Sequence, residues 1–231
     1  MNSKQNNTKE ILTIALKLLV ICSIVAVIIA LVYTITKDKI AYNEMVKTAN
    51  ALSEIYSDDF GGKKFEVDDE QFVIKDGGNI VAKCVSADIE PIDKTITGLY
   101  VLTDSNNEKL GYCVSIEPMG FKDVIKMLVA VDGDLKIKGV KIISMSETSG
   151  YGTKAKDDPN PPAGKTGSDW FLKQFVGLNE NGFAKNSKGK YESVDIISGA
   201  TKTSQPVAEA IEIALKQVVV FSETSGGATN E

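Results

Sequence analysis

Residues 125–143 read IKMLVAVDGDLKIKGVKII, and this stretch decides the fold. Two apolar runs, Ile125 to Val131 and Ile137 to Ile143, flank the turn pair Gly133-Asp134, which predicts an antiparallel hairpin. The continuation KIKGVKIISMSE (136–147) alternates apolar with polar residues as a half-buried strand does. Upstream, Phe72-Val73-Ile74, Ile80 to Val85, Thr97 to Leu102 and Leu110 to Ile116 read as further short strands, and downstream so does Tyr191 to Ile197. Asp169 to Gly177 reads as a short helix closed by glycine. Ser204 to Phe221 reads as an amphipathic helix with a buried stripe of Val207, Ile211, Ala214, Leu215 and Val218, and with Pro206 in its first turn. Glu147 to Ser168 is a loop of unusual length for a compact domain, the kind that often carries function. The fold class is therefore α+β, an antiparallel sheet with flanking helices.

The N-terminus is a different kind of object. Leu18 to Thr36 (LLVICSIVAVIIALVYTIT) holds 19 residues without a charge, between Lys17 and Lys37. About 20 apolar residues in a helix cross the ~30 Å hydrocarbon layer. Tyr33 stands where an interfacial aromatic would, and Lys37 and Lys39 reach toward headgroups. The run is longer than a signal-peptide core, and no small-x-small cleavage site follows it. Residues 38–57 continue at helical spacing through Ile40, Met45, Ala49, Leu52 and Tyr56, until 58–64, with Gly61-Gly62, breaks the pattern. Lys4, Lys9 and Lys17 precede the span and Lys37, Lys39 and Lys47 follow it, so counting basic residues nearly ties for orientation. Residues 1–36 hold three Lys and one Glu, a net +2, which leaves −7 for the rest of a chain of net −5.

Two absences exclude whole classes of chemistry. The chain has no His, and its 26 basic residues are all Lys. Ser-His-Asp and Cys-His catalysis are thereby ruled out, as is any His-ligated metal. Three cysteines (Cys22, Cys84, Cys113) without a CxxC cannot build a four-thiolate site, and whether Cys84 and Cys113 pair is open at this stage. An acidic chain without Arg argues against nucleic-acid binding. What remains is Ser/Thr, Lys, carboxylates, backbone amides, or a borrowed cofactor.

The segment Asp195-Ile196-Ile197-Ser198-Gly199-Ala200-Thr201-Lys202-Thr203-Ser204 joins the last strand to the last helix. Small residues let a ligand approach the backbone. The free amides and positive dipole end of a helix N-terminus favour a phosphate, with hydroxyls at Ser198, Thr201, Thr203 and Ser204 as donors. The plainer alternative is that Thr203 or Ser204 simply caps the helix.

DIISGAT resembles the flavinylation motif of the FMN-binding domains of Rnf and Nqr respiratory complexes, in which Asp, two variable residues, Ser or Thr, Gly, Ala, then Thr or Ser follow in order. Asp195, Ser198, Gly199 and Ala200 match it, and the resemblance makes Thr201 the acceptor of a phosphodiester-linked FMN. In that family the bond is made by a separate flavin transferase using FAD and a metal. Glu147-Thr148-Ser149-Gly150-Tyr151-Gly152 resembles the family's Glu-Thr-Pro-Gly-Leu-Gly loop, with Ser149 and Tyr151 as departures. Lys202 and Thr203 join these six as implied FMN contacts, and no metal site is implied. Gly120-Phe121-Lys122 resembles the turn into the preceding strand pair, and Trp170 and Phe175 the aromatic positions after the loop. The likeness runs from about Gly111 to Phe221, and the anchor also matches the layout of RnfG and NqrC, the flavin-bearing members of the two complexes. The echo in Glu223-Thr224-Ser225-Gly226-Gly227-Ala228-Thr229 has the wrong spacing and no matching Asp.

The resemblance implies an organisation of cytoplasmic N-terminus (1–10), transmembrane helix (11–36), stalk helix and linker (37–66), FMN-binding domain (67–222) and disordered tail (223–231). It implies a single-pass cell-membrane protein with its flavin domain on the extracytoplasmic side. Such a protein is an electron-carrier component, of the RnfG type, in an Rnf-type ion-translocating ferredoxin:NAD oxidoreductase. Its partners are the other components of the complex and a flavin transferase, and no independent turnover is expected. The other readings are the NqrC component of a Na⁺-translocating NADH:quinone oxidoreductase, or an anchored interaction domain without redox chemistry.

Overall fold

The structure is a computed structural model. It describes residues 2–69 and 71–226, with only the backbone of residues 2–9 and Gly226. The chain divides into two compact units, Met1–Met45 and Val46–Glu231.

The first unit is the bulk of one long helix, α1 (Asn2–Ile55). Its aliphatic side chains from Ile11 to Ile35 are about half exposed or more, on every face. Such a surface is stable against lipid and costly against water. The few hydroxyls in the span are satisfied internally, Ser23 donating to Leu19 O at 2.9 Å, Thr34 to Ala30 O at 2.9 Å and Thr36 to Val32 O at 2.8 Å. Among the described residues this is the one helix long and apolar enough to cross a membrane.

The second unit begins inside α1. Ala49, Ala51 and Leu52 are buried, as are Tyr56 and Phe65 beyond the helix end. Residues 46–66, expected as part of a stalk and linker, thus belong to the folded domain, because their apolar positions supply one wall of its core. Seven strands follow: β1 (Glu66–Asp68), β2 (Gln71–Asp76), β3 (Asn79–Ala87), β4 (Ile96–Asp104), β5 (Lys109–Ile116), β6 (Lys126–Asp132) and β7 (Ile137–Ser144). They form one antiparallel meander in chain order.

The β6–β7 connection differs slightly from the two-residue turn expected. Asp132 N–H donates to Lys136 O at 2.9 Å, and Asp132 Oδ1 accepts from the amides of Asp134 (3.0 Å) and Lys136 (2.9 Å). Leu135 takes φ +59°. The loop is therefore three residues long, with the left-handed residue that such loops require.

Alternation along the strands builds two faces. Tyr112, Val114 and Ile116 of β5 and Met127, Val129 and Val131 of β6 share a core with Val207, Ile211, Ala214, Leu215 and Val218 of the last helix, α3 (Thr201–Gly226), and with Trp170, Phe171 and Phe175. Each large aliphatic fully buried there stabilises the fold by about 1.5–3 kcal/mol. The opposite face carries Cys84, Leu102, Cys113, Leu128 and Ala130, all buried. There Tyr56 Oη lies 3.9 Å from Cys113 Sγ.

The three cysteines are free thiols. β4 runs between β3 and β5, so the Cα atoms of Cys84 and Cys113 stand two strand spacings apart, ~9–10 Å, beyond the ~7 Å a disulfide bridges. The neighbouring Cys113 and burial both push the Cys84 thiol well above its ordinary pKa.

Further expectations are corrected. Residues 191–197 are not a strand. Only Tyr191 makes a bridge, to Lys185. Beyond it Glu192 N–H donates to Ala184 O (3.0 Å), and then the main chain bonds to side chains, Asp195 N–H to Gln174 Oε1 (2.9 Å) and Ile197 N–H to Ser204 Oγ (3.2 Å). The last helix starts at Thr201 rather than Ser204, which moves Pro206 from its first turn into its second. It also runs on to Gly226, so residues 223–226 of the expected disordered tail are helical, while 227–231 lie outside the described residues. The helix expected at 169–177 is one turn, α2 (Trp170–Lys173), followed by turns.

Candidate functional site

The site forms where three distant segments meet at the N-terminus of α3. The first is the β5–β6 connection at Gly120-Phe121-Lys122. The second is the start of the long loop, Glu147 to Gly152, which passes into a 3₁₀ turn (Gly152–Ala155). The third is the turn Ser198-Gly199-Ala200 and the first residues of α3.

Glu147 ties the three together. It is 8% exposed, its Oε1 accepts from the Lys122 main-chain N–H at 3.0 Å, and its Oε2 accepts from the Thr203 hydroxyl at 2.8 Å. A buried carboxylate needs such partners, since desolvation without them costs several kcal/mol. The packing around it is close enough to require glycine. A Cβ on Gly152 would stand 2.6 Å from Glu147 Oε2 and 2.8 Å from Thr203 Oγ1, and one on Gly120 would also meet the carboxylate.

Above this brace lies a cavity of about 480 Å³, lined by Phe121, Glu147, Thr148, Tyr151, Gly152 and Gly199 to Thr203. Phe121 and Tyr151 present exposed rings to it, at 57% and 63% exposure. Lys202 Nζ sits 5.3 Å from the centre of the Phe121 ring. A second cleft, of about 470 Å³, shares Phe121, Thr201 and Lys202 and adds Gln205, Pro206 and Glu209. A third groove, of about 320 Å³, runs past Lys190, Tyr191, Asp195, Ile196, Thr201 and Gln205. Thr201 is the residue common to all three, exposed and first in its helix. The Thr203 and Ser204 amides already donate to Ala200 O (3.0 and 2.9 Å), so at the positive dipole end of α3 the amides of Thr201 and Lys202 are the ones left to meet a ligand.

The residues singled out from sequence separate into distinct jobs. Thr201 and Lys202 are exposed at the cavity. Thr148, Tyr151, Gly152, Gly199 and Ala200 line it, whereas Ser149 and Gly150 do not. Gly199 holds φ +78°, a left-handed turn that aims the chain into α3. Thr203 is 2% exposed, with its hydroxyl committed to Glu147, so it is a brace rather than a free donor. Ser204 is likewise spent, donating to Ala200 O at 3.0 Å. Asp195 and Ser198 are exposed but do not line the main cavity, Asp195 lying in the third groove and in an ion pair with Lys165 at 2.8 Å. Trp170 and Phe175 are core residues, Trp170 Nε1 donating to buried Asp158 at 3.1 Å. Glu223 to Ser225 lie in the last turns of α3, at the negative dipole end; Gly227 to Thr229 are outside the described residues. Sequence reasoning did not assign Phe121 to the cavity wall, nor Lys165 and Gln174 to the acceptor segment. The resemblance of Gly120-Phe121-Lys122 to the family's turn was the signal visible for Phe121.

The same segments carry the family relationship. The family model "FMN-binding domain" matches residues 120–216, and the model "RnfG N-terminal region" matches residues 1–55. The G component of the ion-translocating oxidoreductase complex of Methanosarcina acetivorans is 26% identical over 92% of this chain and 97% of its own length. This chain is thus similar to RnfG along almost its whole length. The G component of the proton-translocating ferredoxin:NAD(+) oxidoreductase complex of Clostridium ljungdahlii is 29% identical over 50% of this chain and 57% of its own. The crystal structure of Shewanella oneidensis NqrC is 22% identical, with a TM-score of 0.41 over 62% of this chain and 70% of that one. The matches to an RnfG N-terminal region and to an FMN-binding domain fall in this one chain.

The residues fit the cofactor that this family model names. The main cavity lies within the ~300–1,000 Å³ range of small-molecule sites. Exposed aromatic faces suit an isoalloxazine, and the helix N-terminus with Lys202 suits a phosphate. Among the described residues no group of three or more His, Cys, Asp or Glu could hold a metal ion.

Proposed function

We propose that this chain is the membrane-anchored flavin carrier of an Rnf-type ion-translocating complex, with FMN held by a phosphodiester bond to Thr201. The observation that carries the reading is the position of Thr201, an exposed hydroxyl at a helix N-terminus where three clefts converge.

In the attachment step the Thr201 Oγ–P bond forms, the P–O bond to the AMP half of FAD breaks, AMP leaves, and the hydroxyl proton passes to a base on the transferase. A threonine hydroxyl is a poor nucleophile without such a base, and a chain with no His offers none in the usual form. A separate transferase supplies the activation.

When bound, FMN supplies reversible one- and two-electron transfer. This chain's residues do the rest. The positive dipole end of α3 and the Lys202 ammonium would neutralise the phosphodiester. Phe121 and Tyr151, both lining the cavity, would hold the ring and shield it from water. Gly199, with open space where a Cβ would stand, would let the cofactor approach the backbone, and the buried Glu147 holds the walls at fixed spacing. The α1 span keeps the carrier beside its membrane partners, with the flavin domain on the extracytoplasmic side, where a dissociable FMN would be lost. A match of residues 1–55 to the RnfG N-terminal region favours Rnf over the Nqr alternative.

Co-expression with a flavin transferase tests the proposal. The expected result is a denatured gel band that fluoresces under ultraviolet light, lost in Thr201→Ala and kept in Thr201→Ser. A colourless wild-type band favours the interaction-domain reading instead.

A further inference from the structure

The segment that ends in Thr201 lacks the support a strand would have. From Glu192 to Ala200 it pairs with no strand of the sheet, so its shape is set by a few outside groups. Near α3, Ser204 Oγ accepts from Ile197 N–H at 3.2 Å. At the other end, Gln174 holds Asp195 at two points. Gln174 Nε2 donates to Asp195 O at 3.0 Å, and Gln174 Oε1 accepts from Asp195 N–H at 2.9 Å. A side-chain amide has the same donor and acceptor as a peptide group, so here it replaces one rung of a missing neighbouring strand. The Lys165–Asp195 ion pair adds little, because a pair this exposed is screened by water.

The structure assigns to Gln174 the role of a positioning residue, fixing Asp195 relative to Thr201 so that a flavin transferase meets both in one geometry. The assignment rests on Thr201 being the acceptor. Asp195 and Thr201 line the same groove, with Lys190, Tyr191 and Gln205. An enzyme reading both residues needs their separation set in advance; otherwise it must order the segment on binding, which lowers affinity and transfer rate. Gln174 follows the single turn of α2, which Trp170, Phe171 and Phe175 already anchor in the core. Its half-exposed side chain is therefore not needed to hold α2 in place.

The test uses the full chain in detergent with purified transferase, FAD and the transferase's metal. Wild type, Gln174→Leu, Gln174→Glu and Thr201→Ala are compared. The readouts are initial rate of covalent flavin fluorescence against chain concentration, thermal melting, and amide hydrogen exchange at Asp195. Gln174→Leu is expected to raise KM and lower kcat/KM by about tenfold, the scale of one or two residues losing their order. Its melting temperature should stay at the wild-type value, and its Asp195 amide should exchange faster. Gln174→Glu, which keeps the acceptor and loses the donor, should fall between. Wild-type transfer kinetics in Gln174→Leu, or a loss of transfer that merely tracks a loss of melting temperature, overturns the assignment. A wild-type chain that takes up no flavin overturns the acceptor reading itself, and is told apart because Asp195 exchange still reports the clamp.

Discussion

The hydroxyl of Thr203 donates to Glu147 Oε2 at 2.8 Å, across 56 residues of chain, and both residues line the cavity at the start of α3. Both residues are almost fully buried, so neither can exchange the bond for water. Thr203→Val removes the donor without changing the shape and leaves a carboxylate oxygen unsatisfied. The expected cost is about 1.5–3 kcal/mol, the range for hydrogen bonds to charged groups. Urea denaturation of the full chain in detergent measures it. A variant as stable as wild type means the bond contributes nothing net.

Gly152 and Gly199 matter for different reasons, and alanine at each separates them. At Gly152 the new methyl collides with Glu147 and Thr203, which should cost about 1–3 kcal/mol and open the brace. At Gly199 nothing stands within 4 Å, but φ is +78°, so only backbone strain of about 1–2 kcal/mol is expected. Hydrogen exchange at the Lys122 amide distinguishes the two. It should accelerate in Gly152→Ala, where the acceptor Glu147 is displaced, and stay unchanged in Gly199→Ala.

Glu212 gives the domain a pH-dependent term. Burial pushes its carboxyl upward, but Lys216, Tyr191 and Lys185 outweigh that and hold it below its ordinary value. A depressed folded pKa contributes stability that is present above the unfolded value and lost as pH falls through the folded one. Glu212→Gln should therefore be less stable than wild type at pH 7. The gap should close as the pH drops below about 4, near the ordinary glutamate value. Melting curves across that range check the sign; a gap that persists in acid points to packing rather than charge.

Thiol counting follows from the sheet. Without reductant, the denatured chain should take up three equivalents of an alkylating reagent, since all three cysteines are free. In the native chain Cys84 and Cys113, both 0% exposed, should be protected. A single equivalent under denaturing, non-reducing conditions would show that the two strands approach closely enough to cross-link.

Tyr151 should quench the attached flavin. An electron-rich phenol against an isoalloxazine returns the excited state without emission. Tyr151→Leu should therefore brighten the native holoprotein and leave the denatured band as bright as before. Equal native brightness in both would place the Tyr151 ring in solvent.

The sequence by itself determined the apolar span, the strands β2 to β7 and the β6–β7 hairpin, the buried stripe of α3 and the segment that carries Thr201. Each of these is written in local terms: a run without charge, a period of two or of 3.6, a seven-residue motif. Only the tertiary structure decided the rest. Local pattern marked 191–197 as a strand, but it has no strand to pair with, because Gln174 and Ser204 take its hydrogen bonds. The resemblance implied Glu147 as an FMN contact, and only the fold showed Lys122 and Thr203, 25 and 56 residues away, holding both its oxygens. Phe121 joined the cavity, and Cys84 and Cys113 stayed apart, through the curl of the sheet and the strand between them. A residue's periodicity is set by its neighbours in the chain. Its hydrogen-bond partners and its exposure are set by segments that meet only when the core closes.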